Sequence, residues 1–500
     1  MMPAASLLEN KTILVTGSAG FLAKVFVEKV LRIQPYVKKI YLLMRAPDSH
    51  SAAKRLRDEV MEKELFRVVK EKWGTDFEKF VSEKVVAVAG DVSREDLGIG
   101  DVDLKEGIWR ETDLVVNFAA TTRFDERYDV ALATNTYGAA HVVKFSKKCV
   151  KIKLLVHVST AYVCGEEAGI IKEKPVSMAK GGIGDDDDEM IFEIVDGERK
   201  LVQQTLLQLQ SNKHLSSDCG DERGISSAMR LLGLERARHY GWPNTYTFTK
   251  AMGERIAMSL KGDLPLVILR PAIVTSTIKH PFPGWTEGVR TIDGFIVNYA
   301  KGRMKCLIER PETVYDLIPV DMVVNSIVGC ICSAFQNQPL DLIYHLGSSR
   351  NPITSSDLRH CMFTFFSRNQ WKDRHGRTLK ASKWKTFSSF KTFQIYMTIR
   401  FLIPLKVLCL VNAALCHRFE AMCGDLDRKL KMAMRLVKLY EPYLLFVGIF
   451  DDTNLERLRA RGRQNGWWGV EEMNMNAGSI NWSDYIMNVH IPGLIRFVKF

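Results

Sequence analysis

The chain has 500 residues, 46% of them hydrophobic, which is too long for one small core and predicts two domains. Charged residues make up 26%, near the soluble globular average, while a net charge of +12 and a pI near 9.1 favour an acidic partner: a phosphorylated small molecule, an anionic membrane surface or nucleic acid. Ten cysteines without a CxxC pair, and eleven histidines without an HExxH or zinc-spaced cluster, argue against a metal enzyme and for reduced intracellular thiols.

The N-terminal stretch "MMPAASLLENKTILVTG" has no long apolar run, so we expect no cleaved signal for secretion or organelle import. Strand and helix signals then alternate. "KTILVTG" (11–17) is a β-rich run ending in glycine, and "FLAKVFVEKVLRIQ" (21–34) has helical apolar spacing. Further strands are predicted at "KKIYLLMR" (38–45), "KVVAVAGD" (84–91), "DLVVNFAA" (113–120) and "KLLVHVST" (153–160), with a helix at 135–149. Apolar strands separated by helices predict an α/β fold, a doubly wound parallel sheet of Rossmann type.

The pattern breaks over about 165–240, read as an insertion. It holds "KGGIGDDDDE" (180–189), where Asp185 to Asp188 read as a solvated loop, and a polar helical stretch near 195–212. The α/β pattern resumes at 244–275 with a helix and the strand "LPLVILRPAIV" (264–274), then 316–335 and a strand-like 341–349. Composition changes after Pro352, which places a domain boundary near 350–360: residues 1–355 would bind the cofactor and 356–500 form a mostly helical C-terminal domain. From Arg368 to Lys391 there are eight Lys/Arg against one acidic residue, followed by an apolar stretch at 393–416.

"TGSAGFLA" (16–23) lies between the first strand and first helix. There the backbone must pass close to a dinucleotide pyrophosphate, at Gly17 and Gly20, with the helix-start N–H groups of Phe21 and Leu22 facing the anion. The third small position, Ala23, allows close helix–strand packing. The second strand ends in Arg45, where an NAD site would carry an acid; a guanidinium suits the 2′-phosphate of NADPH. "AGDV", with Asp91 and Val92, is placed for the adenine end, and Ala119 in "FAA" for the crossing at the sheet edge.

"NTYTFTKAMGER" (244–255) spaces Tyr246 and Lys250 four apart, one above the other on a helix. An ammonium there would lower a phenol pKa of about 10 and bond the nicotinamide ribose, letting Tyr246 protonate a carbonyl oxygen as hydride arrives. A third hydroxyl would come from the end of the fifth strand: Thr160 first, Ser159 as fallback, since neighbours on a strand face opposite ways.

Longer motifs carry a resemblance. "TGSAGFLAK", "HVSTAYV", "GWPNTYTFTKAMGE" and "LRPAIV", with "VKLYEPYLLFVGIFDDTNLERL" and "INWSDYIMNVHIPGLIRFV" near the end, resemble the plant-type alcohol-forming fatty acyl-CoA reductases. These are extended short-chain dehydrogenases/reductases with a male-sterility-type C-terminal domain. The resemblance covers nearly the whole chain. It implies NADPH-dependent reduction of a fatty acyl-CoA to a primary alcohol, as for wax or suberin lipids, at the endoplasmic reticulum membrane facing the cytosol, or else in the cytoplasm. Carried over by motif, Tyr246, Lys250 and Thr160 take the catalytic roles and Gly17, Gly20, Phe21 and Leu22 the pyrophosphate turn. Alternatives are a reductase that stops at aldehyde and a non-catalytic NADPH-binding scaffold. A sugar-nucleotide epimerase or hydroxysteroid dehydrogenase would leave the C-terminal domain unexplained. Nucleic-acid binding rests on charge alone, with no recognition motif, and is set aside. Peripheral or monotopic membrane contact is expected through about 368–416, because Arg400, Pro404 and Lys406 oppose a full span. Nothing in the sequence sets an oligomeric state.

Overall fold

A computed structural model describes residues 4–178, 188–211, 222–369, 371–372, 378–379, 384–414, 418–467 and 473–498. Most of the basic run after Arg368, and Asp185 to Asp187, lie outside the described residues.

Seven strands build one wholly parallel sheet: β1 (Thr12–Thr16), β2 (Lys39–Met44), β3 (Val85–Ala89), β4 (Leu114–Asn117), β5 (Leu154–Val158), β6 (Leu266–Pro271) and β7 (Ile343–Leu346). Their order is β7-β6-β5-β4-β1-β2-β3. The central strands are apolar almost throughout because both faces are covered. Ile13 and Val15 pack on one side with Phe26, Val27 and Val30, while Leu14 packs on the other with Val115, Leu155 and Ile268. Helix α1 (Phe21–Ile33) covers the first face.

The predicted strand 264–274 divides at Ala272: Ile273–Thr275 leaves the main sheet and pairs with Leu317–Pro319. Within 316–335 that short strand ends at Pro319, which starts the helix Val320–Phe335.

Among its described residues the insertion contains two helices, α2 (Asp188–Ser211) and α3 (Glu222–Tyr240). The first overlaps the predicted polar helix; the second has no counterpart among the expected elements. Tyr128 Oη donates to buried Glu198 at 2.7 Å, and Arg236 pairs with the same carboxylate at 2.5 Å, fixing α2 and α3 to the body.

Helix α4 (Thr245–Lys261) lies against the helix running from Tyr128 to Lys148. Asn244 caps it, its side chain accepting from Thr247 N at 3.0 Å. Gly253 makes the approach possible, since a Cβ there would stand 2.2 Å from Asn135 O.

After residue 384 the chain is mostly helical, with a helix from Phe390 to Ala414 and the long α5 (Glu420–Leu444). This region returns to the body: Gly448–Phe450 pairs with Gly169–Ile171, Lys385–Phe387 pairs with Cys306–Ile308, and Tyr485 Oη donates to Ser276 O at 2.7 Å.

Candidate active site

From β1 the chain order runs outward to β2 and β3 on one side and to β4, β5, β6 and β7 on the other. It reverses between β1 and β4, and the carboxyl ends of those strands border the crevice where such sheets bind ligands. Gly17 and Gly20 sit just beyond β1 there. Gly17 has φ +66°, and a Cβ on it would meet the backbone of Phe118 and Ala119 at 2.7–2.8 Å. Its first constraint is therefore the close pass of β4's end, in addition to room for a pyrophosphate. Gly20 N donates to Gly17 O at 2.8 Å, closing the turn from which α1 starts at Phe21 and Leu22.

Arg45 follows β2 directly with an exposed side chain, and Asp91 and Val92 lie just beyond β3. Asp91 accepts from Ser93 N at 2.9 Å, and Val92 O bonds the His141 ring at 2.8 Å. Ala119 lies beyond β4, its N–H within 3.4 Å of Thr16 Oγ1. The sequence-predicted cofactor residues thus share one edge of the sheet. They fit NADPH: the helix start presents N–H groups, the turn has no side chain to fill it, and the exposed Arg45 at the end of β2 has no ion-pair partner among the described residues.

Tyr246 and Lys250 come from the first two turns of α4, and Thr160 from the end of β5. The Thr160 hydroxyl stands near enough to the Tyr246 phenol to oppose the rise of its pKa. Ser159 is buried, and its Oγ has no hydrogen-bond partner among the described residues.

Lys250 Nζ donates to Val158 O at 2.8 Å. Burial lowers its pKa to about 8, against the opposing pull of Glu254. The expected lowering of the tyrosine pKa by the lysine is not what this geometry gives. Burial pushes Tyr246 up to about 12; the Thr160 hydroxyl opposes that rise and the Glu254 charge adds to it. The lysine points one N–H at a backbone carbonyl, and desolvation of the phenolate dominates.

Beneath these groups a polar chain crosses the sheet. Thr16 Oγ1 donates to Asn117 Oδ1 at 2.5 Å, and Asn117 Nδ2 meets His157 Nδ1 at 3.0 Å. Burial, aided by the Lys250 charge, pushes the His157 pKa down, so it is a neutral ring.

Three features escape a reading of local sequence. Glu254, two turns beyond Tyr246, forms a fully buried pair with Arg270 of β6 at 2.7 Å, and Arg270 reaches His345 of β7 at 3.3 Å. An arginine inside the apolar run "LVILRP" was the available signal. Second, Phe124, in the loop after β4, stacks on Tyr246 with ring centroids 6.0 Å apart and packs against Tyr440 and Tyr443 of α5 at 5.2 and 5.0 Å. Asn244 Nδ2 donates to Tyr443 Oη at 2.5 Å, and Arg435 pairs with Asp125, so α5 roofs Tyr246. No local pattern announces that roof. Third, a cavity of about 530 Å³ opens beside it, lined in part by Tyr162, Arg238, Pro243, Lys438, Tyr443 and Phe446.

A hydrolase-like chain, Ser276 Oγ to His490 Nδ1 at 3.0 Å and Nε2 to Asp293 at 3.2 Å, lies elsewhere. All three residues are at most 2% exposed, so it ties the C-terminal segment to the body and meets no substrate.

A doubly wound sheet, a glycine turn at its switch point and a tyrosine–lysine pair on the helix beside it define an oxidoreductase of the extended short-chain dehydrogenase/reductase class. Comparison with known proteins narrows this. Two family models, both described as male sterility protein, match residues 15–327 and 400–499. The chain is 49% identical to "Alcohol-forming fatty acyl-CoA reductase" of Simmondsia chinensis and 48% identical to "Fatty acyl-CoA reductase 1" of Arabidopsis thaliana, each alignment covering 98% of both chains. The fold is shared, at 15% identity and TM-score 0.56, with the terminal R domain of the myxalamid PKS-NRPS pathway, over 97% of this chain and 91% of that one. The protein belongs to the plant alcohol-forming fatty acyl-CoA reductases of the male sterility family.

Proposed function

We propose that the protein reduces long- or very-long-chain fatty acyl-CoA to primary alcohol with NADPH, supplying surface lipids such as wax or suberin. The observation that carries this is the meeting of Tyr246, Thr160 and Lys250 beside the glycine turn, in a chain of this family.

Two molecules of NADPH, bound in succession, would each supply one hydride: the first would reduce the thioester to the level at which CoA thiol leaves, and the second would reduce the aldehyde. Thr160 and Tyr246 hold the carbonyl oxygen by hydrogen bonds that strengthen as charge develops on it. Tyr246, its pKa pushed up to about 12, keeps its proton until that oxygen becomes basic enough to take it. Lys250, held by Val158 O, has two further N–H donors for the ribose hydroxyls of the cofactor. No cysteine is needed as nucleophile, because hydride attacks the thioester directly.

Residues 1–355 form the NADPH-binding unit, interrupted by the insertion at about 165–240, and 356–500 form the C-terminal unit. The 530 Å³ cavity, walled by the insertion and by 438–447, suits the thioester arm and the start of the acyl chain. Contact with the cytosolic face of the endoplasmic reticulum membrane runs through the helix Phe390–Ala414, on which Ile395, Ile399, Ile403, Val407 and Leu410 are all exposed.

The test is incubation with C16 to C30 acyl-CoAs and NADPH, followed by lipid chromatography. Primary alcohol is expected. Aldehyde as the sole product under excess NADPH would replace the four-electron reading with a two-electron one.

A further inference from the structure

The glycine turn offers the pyrophosphate only N–H groups and a helix dipole, while the ligand brings two negative charges. A cation close by would strengthen the hold on that charge, and Lys24 on the first turn of α1 is already paired, with Glu287 at 2.6 Å. The segment that supplies Glu287 also lays Trp285 on the Phe21 ring, with centroids 5.2 Å apart. It ends in Arg290, whose guanidinium stands 3.8 Å from the centroid of that ring. Phe21 is the first residue of α1, directly after Gly20, so Arg290 is stacked against the residue that opens the cradle.

Two carboxylates, Asp293 and then Glu287, favour the charged Arg290 through space, and neither forms an ion pair with its guanidinium. Glu287 is held by Lys24 and lies 3.6 Å from Lys63. Asp293 accepts from the Arg290 backbone N–H and lies against His490. Among the described residues Arg290 forms no side-chain ion pair. Arg290 is half-buried, and a partly desolvated guanidinium gains from an anion; the turn that begins beside Phe21 is prepared to hold one.

We propose that Arg290 is the cation that binds the pyrophosphate of NADPH, an assignment that rests on the NADPH-dependent function proposed above. It divides the two arginines by task. Arg45 reads the 2′-phosphate, which only NADPH has; Arg290 reads the pyrophosphate, which NADPH and NADH share.

The test is fluorescence titration of the full chain with NADPH and with NADH, and of CoA binding by calorimetry, without turnover. Arg290→Met keeps an apolar stem against Phe21 and removes the charge; Arg290→Lys keeps a charge. Arg290→Met is expected to weaken NADPH and NADH by the same factor, on the order of 10- to 100-fold, and to leave CoA unchanged. Arg290→Lys is expected to recover part of the loss, and Arg45→Gln to weaken NADPH alone. Met and Lys variants that bind NADPH equally well would overturn the assignment. So would a loss confined to NADPH, or one confined to CoA, which would put the cation on a different phosphate. Absence of NADPH binding by the unaltered protein would instead remove the cofactor reading itself.

Discussion

A proton donor has to keep its proton until the carbonyl oxygen gains charge, and burial that pushes Tyr246 up to about 12 ensures this through the physiological range. Tyr246→Phe is expected to lower kcat about 10²- to 10⁴-fold with little change in KM, measured separately on acyl-CoA and on aldehyde. Thr160→Val, which keeps the shape, removes one donor to the developing oxyanion and is expected to cost about 10²- to 10³-fold. In the proposed mechanism Lys250 sets the pH dependence. With its pKa lowered to about 8, the ammonium fraction falls as pH rises through 8 rather than through 10.5. The rate is therefore expected to decline above about pH 8. The same shift acts oppositely on stability. Below 8 the lysine is charged in both folded and unfolded chains and the fold bears the desolvation cost. Between 8 and 10.5 the unfolded chain binds more protons, so this group adds stability as pH rises. A loss of rate above pH 8 that tracks unfolding, or a rate still flat at pH 9.5, would contradict the role given to the ammonium.

Helix α4 gathers these groups, and the elements around it fix where it lies. Its far half is held by the buried Glu254–Arg270 pair, at most 1% exposed. Glu254→Gln leaves a buried guanidinium without its counter-charge and is expected to destabilise the fold by about 3–5 kcal/mol in denaturant titrations. Replacing both partners with leucine and methionine should recover most of that loss. Its near half meets the Phe124–Tyr440–Tyr443 roof. A roof that covers the aldehyde between two reductions keeps it from diffusing away. Phe124→Ala, or Arg435→Gln at the outer latch to Asp125, is expected to raise the aldehyde share of product several-fold with NADPH still consumed; hydrazine trapping measures it. Strands were legible because a parallel strand covered on both faces must be an apolar run, as "TILVT" and "LLVHV" are. The glycine turn, Arg45 and the tyrosine–lysine pair were legible because each is a local pattern set on a recognisable element. Arg290, Phe124 and Tyr443 were not, because only tertiary packing brings them to the crevice. Helix α3 was missed because its glycines and serines weaken the local helical signal, and packing on the body compensates. The Tyr246 pKa was misjudged for a related reason: sequence spacing shows the lysine but not the burial.

At the scale of the whole molecule, α5 has two faces with different neighbours. Tyr440 and Tyr443 look into the active site, while Met422, Leu426 and Leu436 are exposed on the same helix. Beside it runs the helix Phe390–Ala414, long and apolar enough by composition to cross a membrane, with only 17% of its apolar window buried. Exposed apolar residues recur there at three- and four-residue spacing from Ile395 to Leu410, interspersed with exposed Arg400 and Lys406. A fatty acyl chain partitions into lipid, so a membrane against these helices would put the substrate next to the helix that roofs the site. Magnitudes rank the forces. Burying one aliphatic side chain contributes about 1.5–3 kcal/mol, and one cation near an anionic surface on the order of 1 kcal/mol. Apolar insertion should therefore dominate over charge. In flotation with vesicles containing anionic lipid, 1 M salt is expected to weaken binding without abolishing it, whereas Ile399→Ser with Val407→Ser should release most of the protein. Turnover of soluble short-chain acyl-CoA should persist in that double variant, since both side chains are exposed on the surface of their helix. Protein that stays in the supernatant at physiological salt, with these residues intact, would leave the exposed face without a lipid partner and the acyl chain without this route to the site.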